Sequence, residues 1–251
     1  MPALQVTILA GGEHKRRAMG QPAKGTLRDV AIFRGLTHPG RRGVEAVCAW
    51  KSYARGESVV HVNDRTRDVF FLIRGKARVI MYSLSGKPVS FREIGPGDMF
   101  GEFAAIDCGP RSTSVEVLES SLVASMSGAA FNGMLRSHPQ VMEAVLVHAV
   151  AQMRRLTARV FEFSTLAVNN RILAELLRLA KAGEVNGSVA RISPFPKHSE
   201  IAARVSTHRE AVTRCLKRLE TEKRLLARTA DALLVNDLLE LERMVQDATG
   251  E

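Results

Sequence analysis

At 251 residues the chain is long enough for two folded units with cores of their own plus a connecting element. A formal charge of +10 and a pI near 10.1 suit a polyanionic partner, nucleic acid or an acidic membrane surface, without choosing between them. Cys48, Cys108 and Cys215 stand far apart, the seven histidines form no HxxxH or HExxH pair, and no apolar run nears the roughly 20 residues of a membrane span, which excludes a disulfide framework, a zinc site and a transmembrane helix. The expectation is a soluble, cytoplasmic protein with reduced thiols and no metal.

In chain order, residues 1–28 read as a flexible basic tail containing Gly, Pro, Lys and Arg. Its short apolar run at 6–10 precedes the charged stretch 13–17, the reverse of a secretory signal. Short strands follow at 58–62, 69–73, 77–82, 89–94, 113–117 and 122–126. Asn63-Asp64, Gly75, Ser85-Gly86, Gly95-Pro96-Gly97 and Gly109-Pro110 punctuate them. Turn signals about every 8 to 12 residues belong to an all-β sandwich or barrel, and strands apolar on both faces fit a small closed roll. We assign 29–138 to this roll, ending in a helix over 128–137.

A long helix opens at His138-Pro139, where proline suits a first turn. Within it Met142, Leu146, Ala149, Met153, Leu156, Val160, Phe163 and Ala167 are spaced 4, 3, 4, 3, 4, 3, 4, an a/d seam over about four heptads. A core helix packed on its own domain uses similar spacing. The flanks carry His148, Arg154, Arg155, Arg159 and Glu162, however, and the narrow stripe they leave favours a dimerisation helix over 139–168.

From 169 to 251 the chain is mostly helical: 171–182 is amphipathic and 183–196 is a Gly/Pro-containing connection. A short helix over 199–205 with Ser199 at its N-cap, a break at Ser206-Thr207 and a longer helix from His208 to about Lys223 make a helix-turn-helix candidate. Val212, Cys215, Leu216 and Leu219 form one stripe to be buried, opposite Glu210, Thr213, Arg214 and Lys217. Arginine grips guanine O6 and N7, and a carboxylate accepts from cytosine N4, so Arg209, Glu210 and Arg214 are candidate base readers. Lys217 and His208 would then serve phosphate, with Ser199 also on the DNA side. Thr207-x-x-Glu210 is equally a capping box, and Arg214 can pair with Glu210 on a solvated face. Residues 225–235, with Thr229-Ala230-Asp231 between apolar stretches, read as a wing hairpin.

The most informative stretch is Gly101-Glu102-Phe103-Ala104-Ala105-Ile106, then Cys108-Gly109-Pro110, then Arg111-Ser112-Thr113-Ser114-Val115. Gly101 admits close backbone approach, and a short helical turn after it points free N–H groups at an anion. Arg111 supplies a planar fork matched to two phosphate oxygens, Ser112 a neighbouring hydroxyl, and Glu102 an acceptor for a ribose hydroxyl. The stretch resembles the phosphate-binding cassette of cyclic-nucleotide-binding domains.

Residues 56–235 as a whole resemble the Crp-Fnr family of regulators. That resemblance implies an α+β chain: a β-roll that receives the ligand, a long helix that dimerises, and a winged helix-turn-helix over 169–251 that binds double-stranded DNA. A homodimer on a pseudo-palindromic operator, with RNA polymerase as a further partner and no enzymatic activity, follows from it. The family's ribose carboxylate falls on Glu102, its phosphate arginine and hydroxyl on Arg111 and Ser112, and its base-reading Arg-Glu-x-x-x-Arg on Arg209, Glu210 and Arg214. Gly101, Phe103 and Ala104 complete the cassette, and the purine-contacting hydroxyl of the long helix falls on Thr157, beside Leu156. In three places the chain departs from the pattern the resemblance implies: Leu156-Thr157 stands where a hydroxyl pair is expected, Ser206 stands where the turn has glycine, and Ser112-Thr113-Ser114 is rich in hydroxyls, one of which can serve a guanine amino group. The effector implied is cAMP, with cGMP or both open. The alternatives are the same fold with another input or none, a constitutive architectural DNA-binding protein, and an enzyme acting on cyclic nucleotides. The last finds no activated nucleophile or paired acid and base in the sequence.

Overall fold

The computed structural model describes residues 25–249, so most of the expected tail, 1–24, lies outside the described residues. The N-terminal domain is an antiparallel sheet of β1 (Ala49–Tyr53), β2 (Ser58–Val60), β3 (Val69–Tyr82), β4 (Pro88–Ile94), β5 (Met99–Phe100) and β6 (Ser114–Met126). Its order is β1-β6-β3-β4, with β2 also on β6 and β5 also on β3. Four expected strands turn out to be two: 69–73 and 77–82 join in β3, and 113–117 and 122–126 join in β6. Gly75 explains why, since at φ +92° a Cβ there would meet Ser121 Oγ at 2.2 Å. Both strands bend at that contact, and the register between them slips from Leu72 to Ala77. The turn residues thus mark bends within continuous strands. Phe33 against Phe71, with ring centroids 5.0 Å apart, and Phe70 against Phe100, at 5.2 Å, fill the interior.

The tail boundary expected at residue 28 is corrected. Leu27 is fully buried in the roll's core, and its N–H donates to Glu45 Oε1 at 2.8 Å, which ties the segment to α1 (His38–Ala46). Neither α1 nor the edge strand β1, whose Ala49, Lys51 and Ser52 are exposed, carries a clear period in the sequence.

Beyond α2 (Glu102–Ile106), helix α3 (Gly128–Ser137) forms as expected, with Ser127 Oγ accepting from the Ala130 N–H. The long helix α4 (Pro139–Thr165) stops short of 168 because Leu166 turns extended and is buried. Its inner face buries Val141 and Val145 against the roll, while Leu146 and Val160 stand 63% and 64% exposed. Val150, Met153, Thr157 and Ser164 share that outer face. The exposed apolar stripe is therefore rotated from the expected seam. Phe163 faces its own chain, lying under the guanidinium groups of Arg159 and Arg171 at 4.8 and 5.3 Å, and a 4, 3 spacing fits two adjacent stripes on one helix.

The C-terminal domain contains α5 (Val168–Ala182), β7 (Glu184–Asn186), β8 (Val189–Ile192), α6 (His198–Arg204), α7 (Arg209–Thr221), β9 (Leu226–Arg228), β10 (Leu233–Val235) and α8 (Leu238–Thr249). Its sheet runs β7-β8-β10-β9. The segment read as a plain connection, 183–196, carries a hairpin turned at Gly187-Ser188, with Gly187 at φ +60°. Val212, Cys215, Leu216 and Leu219 are buried against Ile172, Leu176 and Ile201. Ser199 does not cap α6: Glu200 reaches back to the Lys197 N–H at 2.9 Å, so the helix starts earlier and Ser199 sits exposed in its first turn. The Thr207–Glu210 box is not formed either, because Thr207 is buried in the turn, its N–H bound to the Ala202 carbonyl at 2.9 Å, and His208 takes the cap position of α7. No helix among the described residues is long and apolar enough to cross a membrane.

Ser206 makes the turn at φ +51°, the left-handed region in which a Cβ is unfavourable. Ser206→Gly relieves that contact against some added chain entropy, and we expect a gain of up to about 1 kcal/mol in unfolding free energy, read by urea denaturation.

Candidate ligand cavity and DNA-reading face

β5 delivers the chain to Gly101, which turns it at φ +80° into α2. A Cβ on Gly101 would stand 2.9 Å from an Arg111 nitrogen, 3.1 Å from the Phe70 ring and 3.2 Å from the Asp68 carbonyl oxygen, so this turn requires glycine. Arg111 closes it from the other side. Its Nε donates to Thr66 Oγ1 at 3.1 Å, and its two Nη donate to the carbonyls of Gly101 and Asp68 at 2.7 and 2.8 Å. One N–H on each Nη remains after these bonds. Burial to 3% exposure pulls the Arg111 pKa below its ordinary value, opposed by Asp68, Asp64 and Glu102, and an arginine there stays charged.

Glu102 opens α2 at 6% exposure. Burial pushes its carboxyl pKa up, while its own backbone N–H, Arg92 and Arg111 pull the other way. His148 Nε2 lies 3.8 Å from Glu102 Oε1 and 3.2 Å from Gln152 Nε2. Burial, and Arg92 after it, lower the His148 pKa, so at neutral pH the ring is uncharged and its contact with Glu102 is dipolar.

Gly101, Glu102, Arg111 and Gln152 line a cavity of about 320 Å³, within the range of small-molecule sites. Of the expected residues, Gly101, Glu102, Phe103, Ala104, Arg111 and Ser112 all line it. Thr157 does not: it lies on the outer face of α4 beside Met153 and Phe161, its hydroxyl bonded to the Met153 carbonyl at 3.0 Å. Leu156 takes the inward position. The sequence reading missed Arg92, Gln152 and Arg155, which also line the cavity. Helical spacing holds the signal for Gln152, Arg155 and Leu156, at i, i+3 and i+4. A register slip opposite Val79/Ile80 hides Phe91 and Arg92, bringing two consecutive residues of β4 to one cavity.

On α7, Arg209, Glu210, Thr213, Arg214 and Lys217 are exposed, as is His208 before it. No ion pair joins Glu210 to Arg214 among the described residues. Thr213 Oγ1 donates to the Arg209 carbonyl at 3.0 Å and meets His198 Nδ1 at 2.8 Å, whose Nε2 lies 3.2 Å from Arg228 Nη2. Burial, then Arg228 and Arg209, lower the His198 pKa, which suits a neutral ring accepting from Arg228. Arg228 Nε also donates to Glu220 at 2.6 Å, so the β9–β10 wing is tied to both helices.

Family models match residues 50–138 to the cyclic nucleotide-binding domain and residues 170–244 to the Crp-like helix-turn-helix domain. The chain belongs to the Crp-Fnr family. It is similar to the CRP-like cAMP-activated global transcriptional regulator of Mycobacterium tuberculosis, 27% identical over 191 residues that cover 76% of this chain and 85% of the relative. In fold it is similar to the c-di-GMP responsive global regulator CLP of Xanthomonas campestris, with a TM-score of 0.69 and 18% identity over 79% of this chain and 99% of that one. A CooA mutant from Carboxydothermus hydrogenoformans gives a TM-score of 0.72 at 17% identity, covering 81% of this chain and 90% of that one. As a Crp-Fnr member the chain is a DNA-binding transcriptional regulator with a receiver of the cyclic-nucleotide-binding type.

Because the folded-state pKa of Glu102 is raised, its ionisation opposes folding: the penalty is absent below the ordinary carboxylate range and appears as pH rises through the folded pKa. Glu102→Gln in ligand-free protein is therefore expected to be more stable than wild type at about pH 7, with the gain shrinking toward about pH 4, as measured by urea denaturation at both.

Proposed function

We propose that the chain acts as a homodimer whose affinity for a pseudo-palindromic operator is set by cAMP or cGMP bound in the cavity. The carrying observation is the convergence of Gly101, Glu102, Arg111 and Ser112 on one cavity with α4 as its far wall. Arg111 has two N–H groups left for phosphate oxygens, Glu102 suits the ribose hydroxyl, and Ser112 a phosphate oxygen or a guanine amino group. RNA polymerase is the further partner of such a regulator.

The exposed apolar face of α4, from Leu146 through Val150, Met153 and Val160, supports pairing with a second copy. Thr157 lies on that face, so its hydroxyl serves the partner's ligand rather than its own. Two α7 helices presented this way suit half-sites about one duplex turn apart, roughly 34 to 36 Å. Arg209, Glu210 and Arg214 then read base edges, Glu210 being free of the capping role, while His208, Lys217 and Ser199 serve the backbone.

The α4 wall favours a second reading of the effector, cGMP over cAMP. Guanine offers O6 and N7 as acceptors, whereas adenine offers N7 and an amino donor. Arg155 lines the wall with donors and already takes up the Gln152 Oε1 acceptor, and Leu156 has nothing to accept an amino group.

Calorimetry with both nucleotides tests the receiver: Arg111→Ala is expected to lose tight binding of each, and Arg155→Leu to weaken cGMP about tenfold more than cAMP. Undiminished binding by Arg111→Ala would remove the phosphate assignment. In operator titrations, Arg214→Ala is expected to cost about 1 to 3 kcal/mol of discrimination at one base pair, whereas a uniform loss over all sequences assigns Arg214 to phosphate.

A further inference from the structure

Roll, long helix and DNA reader meet at one cluster of charges outside the cavity. Glu93 of β4 pairs with Arg204, the last residue of α6. Arg204 Nη1 also bonds Glu175 Oε1 of α5 at 2.9 Å, and the Arg204 carbonyl accepts from Arg159 of α4. Glu175, 5% exposed, further pairs with Arg178 and lies 3.7 Å from Arg159 Nη1. Glu162 receives Arg178 at 2.8 Å and lies 3.8 Å from Arg159.

Two of the elements that wall the cavity, β4 and α4, therefore also reach Arg204. On β4, Arg92 lines the cavity and its neighbour Glu93 holds Arg204. On α4, Arg155 lines the cavity and Arg159, one turn further on the same side of the helix, holds the Arg204 backbone. Arg204 itself ends the helix that packs on α7, the base-reading helix. We infer that Glu93 and Arg204 are positioning residues: their pair sets the angle of the DNA reader against the receiver and carries the ligand's effect from the cavity walls to α7.

This inference rests on the proposed function only for the identity of the ligand. Glu175, on α5, keeps Arg178 and Arg159 as guanidinium partners if Glu93 is changed, so the Glu93 pair is separable from the Glu175 contacts. Lys76, which pairs with Glu93 at 2.5 Å within the roll, provides the control.

The test is operator affinity of the full-length chain with and without cAMP or cGMP, for wild type, Glu93→Gln, Glu93→Asp and Lys76→Met. Glu93→Gln is expected to reduce the ligand-induced change in operator affinity by about tenfold, within the usual span of allosteric coupling. Glu93→Asp, which keeps the charge, should recover part of it, and Lys76→Met should match wild type. Linkage demands a reciprocal sign: operator DNA stops tightening ligand binding in Glu93→Gln, which loss of fold would not reproduce. Coupling unchanged in Glu93→Gln, or lost equally in Lys76→Met, overturns the inference.

If neither nucleotide alters wild-type operator binding, the proposed function fails and the junction is judged alone. A spin-label distance within one protomer, between the β3–β4 turn and the wing, should broaden in ligand-free Glu93→Gln; a distribution identical to wild type refutes the junction.

Discussion

The receiver depends on the burial of one cation. Arg111 is held by backbone as well as side chain: its N–H donates to the Asp64 carbonyl at 2.8 Å and its carbonyl accepts from Asn63 at 2.9 Å. With the three guanidinium bonds, this joins the loop before β3, the turn after β5 and the start of β6 at one residue. All three guanidinium acceptors are carbonyl or hydroxyl oxygens, and none is an anion. The guanidinium is thus positioned but not neutralised, and a phosphate oxygen is a better partner for its remaining N–H groups than any group that now binds it. Gly101 is constrained by the same contact, because a side chain there would meet the guanidinium it helps to hold.

The contiguous part of this site was legible because its chemistry is local. Gly101 through Ser112 could be read residue by residue, and so could the stripe of Val212, Cys215, Leu216 and Leu219 that turns α7 inward. Groups supplied from a distance were not. Arg92 reaches the cavity through a slip in strand register, which breaks the two-residue period on which strand reading relies. Arg155 was seen only as the polar flank of a seam, since the sequence does not say which domain lies under that flank. Gly187-Ser188 carried a hairpin signal within a stretch taken for a connection, and Ser206 supplies the left-handed turn expected of glycine.

Helix α4 serves as a core helix on one side and, in the proposed homodimer, as the pairing helix on the other. Its inner side meets the roll's core at Val141 and Val145, the cavity at Gln152 and Arg155, and the reader at Arg159 and Glu162. Its outer side, about two fifths of a turn away at 100° per residue, exposes Leu146, Val150, Met153 and Val160. A helix with neighbours on both sides cannot roll to suit one without altering its contacts with the other. In the proposed homodimer, ligand, partner and reader therefore act on one rigid body, which is what coupling between separate sites requires.

Energetics restrict how that coupling is distributed. Moving a two-state regulator from 1:99 to 99:1 takes about 5.5 kcal/mol of differential ligand affinity, more than an exposed ion pair supplies, at about 0 to 1 kcal/mol. The junction is graded in burial: Glu175 is nearly solvent-free among several guanidinium groups, whereas the Glu93 side chain is 29% exposed and shared with Lys76. Breaking the Glu175 contacts would leave a buried charge uncompensated, so they form a pivot that persists. The Glu93 contact, open to water as its substitute, can be exchanged at small net cost. A device built from a fixed pivot and a cheap latch places the free-energy difference in the ligand's own contacts with Arg111, Glu102 and the α4 wall. The latch then has only to convey which of two orientations those contacts favour.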